Sequence, residues 1–206
     1  VQEIVRFPSV EAPAAGPGAP FGEAVRGALE NALNLGKSFG FETTNLDGYA
    51  GCIDYGCGEE MLGVVAHVDV VPEGEGWIHP PYAAEIADGR IYGRGTMDDK
   101  GPAVCVLYAM KAIKDCGINL SQNVRFIVGT DEENGSSDLA WYKKQAKLPP
   151  RVFTPDGSYP VINIEKGMIR GEVTAKCTPN GTKSVLSAEG GTVINAVPES
   201  ATAEVI

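Results

Sequence analysis

No stretch of this sequence approaches the roughly 18 consecutive apolar residues that a membrane-spanning helix requires. There is no basic n-region leading into an apolar h-region at the start, so no secretory leader is visible. The chain does not open on methionine. Val1–Val5 reads as the interior of an element, which leads us to expect that further N-terminal sequence precedes it. Basic clusters are missing too. The net charge is −10, which sets aside nucleic acid and anionic membrane surfaces as main partners. Cysteine is present in an odd number, five, and no CxxC pair occurs. That argues against a disulfide framework or a thiolate zinc site and fits a reducing, cytoplasmic setting. Cys105 falls in an apolar helical pattern and reads as a small buried thiol. Histidine is scarce: only His67 and His79 occur. No internal repeat is found.

What is present suits a globular protein. Apolar residues make up 43% and charged residues 21% of 206, enough for one cored domain and part of another. The stretch Gly63–Pro72 (GVVAHVDVVP) is apolar and valine-rich, and a buried strand is expected over 61–68. Residues two apart on a strand face the same way, so His67 and Asp69 form a polar pair where the run gives out. Before it, Pro-rich residues 8–20 read as a loop. Residues 22–39 have helical spacing, and strands near 41–46 and 50–55 flank the turn signal Asp47-Gly48. After it come a Pro/Gly loop over 71–82 carrying Trp77 and His79, and a hairpin around Asp88-Gly89. A helix from Gly101 to about Cys116, a strand over 124–128, a helix over 136–147 and a strand over 151–154 follow. Strands and helices alternate, so the fold class is α/β with a mostly parallel central sheet flanked by helices. Beyond about residue 166 the pattern becomes β-rich, with strands expected at 169–175, 192–197 and 201–206. Met61, Met97, Met110 and Met168 read as packing residues.

Acidic residues gather where strands end: Asp69, Asp98-Asp99, Glu132-Glu133 and Asp156. In open α/β sheets functional groups collect at the carboxyl ends of strands. Carboxylates brought to one edge repel each other unless cations sit among them. One histidine with several carboxylates suits zinc, manganese or cobalt. Plainer alternatives stand beside each: a hydrogen-bonded pair for His67/Asp69, a helix N-cap for Asp98, a solvated turn for Glu132-Glu133 and a Pro-Asp-Gly turn for Asp156.

Four ordered motifs, GVVAHVDVVP at 63–72, GRGTMDDKG at 93–101, GTDEE at 129–133 and Pro155-Asp156, resemble those of the M20 family of metallopeptidases. The phrases Gly48-Tyr49-Ala50-Gly51, Glu75-Gly76-Trp77 and Ile162–Gly167 (INIEKG) resemble its PepV-like (Xaa-His) dipeptidase branch. The resemblance implies a zinc-peptidase-like catalytic domain over 1–166, in its N-terminal portion, and the start of an α+β lid domain over 167–206. It implies metal-dependent hydrolysis of dipeptides or short peptides at a two-zinc site, with manganese or cobalt as substitutes. His67, Asp98, Glu133 and Asp156 would be the metal ligands, with Asp98 bridging the ions and joined to Asp99 by a cis peptide. Glu132 would be the general base, and Asp69 would orient His67. Asn195 would reach substrate from the lid. The family also uses a further histidine far downstream, which His79 does not match; on that reading the chain is an N-terminal portion. The implied partner is a small peptide, with homodimerisation through the lid and a cytoplasmic location. Two alternatives differ in function: an N-acyl amino-acid amidohydrolase of desuccinylase type, and an inactive fragment acting as a folded or interaction module.

Overall fold

The structure, a computed structural model, describes residues 1–58, 60–158, 160–174, 184–191, 197–198 and 200–206. It divides into two compact units, Val1–Ile162 and Asn163–Ile206.

The first unit is built on a five-stranded sheet in the order β1-β2-β6-β3-β7. Its strands are β1 (Glu42–Leu46), β2 (Ala50–Tyr55), β3 (Met61–His67), β6 (Asn123–Gly129) and β7 (Arg151–Phe153). A separate hairpin pairs β4 (Glu85–Ala87) with β5 (Arg90–Tyr92). The helices are α1 (Gln2–Val5), α2 (Glu23–Ser38), α3 (Lys100–Asp115) and α4 (Ser137–Gln145). β3 runs parallel to both β6 and β7, while β2 is antiparallel to both β1 and β6. The sheet is therefore mixed but mostly parallel in strand direction: β1, β3, β6 and β7 run one way, as expected, and β2 runs against them. The cause is local: only three residues join β1 to β2, and so short a link permits only an antiparallel pair. Asp47 and Gly48 in that link take positive φ of 54° and 76°, as the turn signal requires.

Alternation along the strands separates two cores. Val64, Ala66, Phe126 and Val128 face Ala28, Leu29, Leu33, Val104 and Leu107 of α2 and α3. Val65, Ile127 and Cys52 face the other way, toward Leu139 and Tyr142 of α4. The sheet is thus covered on both faces, which is why β3 is apolar along its length. A cross-strand pair fixes the register of β2 on β6: Asp54 lies opposite Arg125, whose Nε and Nη2 donate to its carboxylate at 2.8 and 2.7 Å. On α3, Ala103, Val104, Leu107 and Met110 take the buried stripe. Cys105 is turned off that stripe and is exposed, contrary to expectation; with Leu62, Ile91, Val106 and Phe153 it lines an apolar groove of about 890 Å³. Met97 and Met168 are likewise exposed, whereas Met110 packs in the core.

In the second unit, β8 (Val185–Gly190) pairs antiparallel with β9 (Ala201–Val205), with an irregularity between Val185 and Ser187. β9 lies where a strand is expected; β8 was not anticipated. Residues 169–174 form no strand, because no described segment hydrogen-bonds to them. The strand expected over 192–197 falls largely outside the described residues.

Candidate metal centre

Parallel pairing decides where the chemistry collects. β3 and β6 are neighbours in register, with His67 opposite Gly129, so both strands deliver their carboxyl ends to one point. The chain leaving β3 carries Asp69, and the chain leaving β6 carries Glu132 and Glu133. β7 lies on the other side of β3, and Asp156 follows its end. Asp98 and Asp99 arrive from the loop that enters α3; the peptide bond between them is cis.

His67 is the hub. Its Nε2 lies 3.0 Å from Asp98 Oδ1, 3.3 Å from Asp156 Oδ2 and 3.9 Å from Glu132 Oε2. Its Nδ1 faces Asp69, 3.1 Å from the backbone oxygen and 3.2 Å from Oδ1. Both are acceptors, so Nδ1 carries a proton and Nε2 is the nitrogen presented to the outer carboxylates. The second oxygen of Asp69 accepts the Glu133 N–H at 3.1 Å, so one buried carboxylate braces the histidine and the glutamate turn together. Asp99 Oδ2 accepts the His67 N–H at 3.1 Å and holds the backbone of the same residue.

An imidazole nitrogen turned toward three carboxylate oxygens needs positive charge between them, either a proton or a cation. The electrostatics register that need. Burial disfavours charge on His67, but hydrogen bonds to Asp69 and Asp98 overcome it and raise the imidazole to about 11. Burial, with the neighbouring Asp98 charge, raises Glu133 to about 7, and burial with the Asp156 charge raises Asp99 to about 7. Glu132 and Asp156 are raised by the same two causes, while the bond from His67 holds Asp98 low. Two groups sharing His67 bring their ligand atoms within 4.8 Å of one another: His67 with Glu132 and Glu133, and His67 with Asp98 and Asp156. One nitrogen and several oxygens converging this closely fit a divalent cation of borderline character.

All six described candidates therefore meet at one sheet edge. Asn195 lies outside the described residues. Trp77 and His79 tie the 71–82 loop down. The indole N–H donates to Glu73 O at 2.7 Å, Arg94 lies over its ring, and His79 stacks on Tyr92 with its Nδ1 2.9 Å from Glu85.

Several supporting residues escaped the sequence. Lys100 is fully buried; its Nζ donates to Phe7 O at 2.7 Å, and burial pushes it down to about 8 despite the nearby Asp69. Ser9 donates to Val68 O at 2.6 Å and accepts the Val70 N–H at 3.0 Å, bracing the chain on either side of Asp69. The Pro-rich loop thus closes against the end of β3. Asp131 and Asp138 clamp the glutamate turn. The one advance signal is Asp138, an acidic residue in the first turn of α4.

The family model of peptidase family M20/M25/M40 matches residues 63–203. The chain belongs to this family. It is 47% identical over 206 residues to "Putative dipeptidase YtjP" of Bacillus subtilis (strain 168), covering 98% of this chain and 44% of that protein. It is 40% identical over 158 residues to the Beta-Ala-Xaa dipeptidase of Lactobacillus delbrueckii subsp. lactis, covering 76% of this chain and 34% of that protein. This M20 chain thus spans less than half the length of the curated relatives it matches. Among solved structures, an M20 family metallo-carboxypeptidase from Sulfolobus solfataricus superposes with a TM-score of 0.62 at 22% identity, over 76% of this chain and 36% of that one. Human carnosine dipeptidase 1 gives 0.59 at 24% identity, over 70% of this chain and 33% of that one. At these identities the likeness speaks for the fold.

Proposed function

We propose that this M20 chain is the N-terminal portion of a metal-dependent peptidase that hydrolyses the peptide bond of dipeptides or short peptides. The observation that carries the reading is the convergence on His67 Nε2 of Asp98, Asp156 and Glu132 from three separate segments, at 3.0, 3.3 and 3.9 Å. His67, Asp98, Glu133 and Asp156 would hold two divalent cations, zinc in the first instance. Bound there, the cations would supply Lewis acidity, polarising a carbonyl and lowering the pKa of water. Asp69 keeps the Nδ1 proton in place, so that Nε2 remains free to ligate. Glu132, half-exposed at the edge of the group, takes the proton of the attacking water and passes it to the leaving amine. Its raised pKa suits that exchange. The names of the relatives favour a dipeptidase over an N-acyl amino-acid amidohydrolase. Residues 167–206 begin a lid domain, and the free cysteines suit the cytoplasm.

The test is Glu132→Gln in the full-length polypeptide that carries this chain. Dipeptide turnover should fall by roughly 10²–10⁴-fold while cation binding persists. Turnover close to wild type would remove Glu132 from the mechanism.

A further inference from the structure

Glu132 and Glu133 stand on a turn between β6 and α4, where the backbone has left the sheet ladder and not yet entered a helix. Side chains on such a turn are only as well placed as its N–H groups are satisfied. One group gathers them. Asp138, 1% exposed, sits in the first turn of α4. Its Oδ2 accepts the Thr130 N–H at 2.7 Å and the Asp131 N–H at 3.2 Å, and its Oδ1 accepts the Leu139 N–H at 2.6 Å. No cap bond is made by Ser136, so this carboxylate organises the start of the helix. A second clasp closes the far side: Asp131 Oδ2 accepts from Ser137 N–H at 2.9 Å and from its hydroxyl at 2.5 Å, and Asp131 O accepts the Ser136 N–H at 2.7 Å. The fit around Asp138 is tight. A Cβ on Gly129, the β6 residue opposite His67, would stand 2.7 Å from Asp138 Oδ2.

We propose that Asp138 is a positioning residue: by gathering the N–H groups of Thr130 and Asp131, its buried carboxylate fixes where Glu132 and Glu133 stand relative to His67. The inference rests on the metal-site reading above. All three recorded partners are donors, so the group must be acceptor-only. Asparagine has the same shape but turns an NH₂ toward at least one N–H, releasing part of the turn. Glutamate is too long for the space that Gly129 leaves.

Cobalt(II) titration of the full-length polypeptide that carries this chain, followed by its visible spectrum and by calorimetry, tests the proposal. Asp138→Asn should weaken cobalt affinity by about tenfold and alter the spectrum at a temperature where the variant is fully folded. Gly129→Ala, which displaces the carboxylate without removing it, should act in the same direction and carries the test if Asp138→Asn does not fold. Leu139→Ala, a neighbour on the same helix that packs in the core beneath α4, should lower thermal stability and leave cobalt affinity unchanged. Wild-type affinity in both the Asp138 and Gly129 variants would overturn the positioning role while leaving the metal reading intact. Absence of cobalt binding by the wild-type full-length polypeptide would overturn the metal reading and this inference with it.

Discussion

The site holds two kinds of carboxylate, and their surroundings differ. Asp69, Asp99 and Asp138 are buried, and each accepts a backbone N–H from a segment bearing a ligand candidate: Glu133, His67 and Thr130, respectively. Asp98, Glu132 and Asp156 are more exposed, at 62, 53 and 28% of their side chains, and they converge on His67 Nε2. The inner carboxylates hold the frame. The outer ones are gathered against their mutual repulsion and suit a cation. A carboxylate's role here follows from what it accepts: N–H groups on one side, positive charge on the other.

That contrast can be broken by substitution. Asp69→Ala should be most damaging, because it leaves the Glu133 N–H without its acceptor and removes the carboxylate charge beside His67 Nδ1, which keeps only the backbone oxygen of residue 69. A loss of about 1–3 kcal/mol is expected by denaturant unfolding, together with weakened cation binding. Asp156→Asn should do the reverse in the ion-free chain. The ionised form of Asp156 is disfavoured by burial and by Asp98, so removing its charge should raise the melting temperature slightly while still weakening cation binding. If both variants destabilise the ion-free chain equally, the division into frame and cation-facing groups fails.

The effect of pH sharpens the same point. Glu133 and Asp99 are raised to about 7 from ordinary values near 4.5 and 3.8. Their contribution to stability is full below those ordinary values and is lost as pH rises to about 7. His67, raised to about 11 from 6.5, adds a contribution that begins to fall above 6.5. The ion-free chain should therefore melt at a lower temperature at pH 8 than at pH 5. Zinc, which competes with those protons, should raise the melting temperature more at pH 8 than at pH 5. A zinc-induced rise larger at pH 5 would contradict the arrangement.

Much of the frame was legible because it rests on local signals. The apolar run over 61–68 announces a buried strand, Asp47-Gly48 a tight turn, and the β-branched run at 124–128 a second strand. The acidic residues could be assigned to one edge because each follows a strand or precedes a helix. Longer-range features were harder to read. Nothing local indicates that β2 lies antiparallel against β6. Nor does local sequence show that Cys105 faces a groove, since helical spacing defines the buried stripe only once the partner surface is known. Lys100 and Ser9 reach backbone oxygens 93 and 59 positions away, contacts that no residue pattern encodes. Asp138 resembled any acidic residue at a helix start until the N–H groups it collects were located.

The central claim is that His67 is the hub of a cation site. Calorimetric titration of zinc into the full-length polypeptide that carries this chain and into its His67→Ala variant tests it most directly. The account predicts saturable binding by the wild-type polypeptide and its loss in the variant, at matched folding by circular dichroism. Equal zinc binding by the two proteins would contradict it.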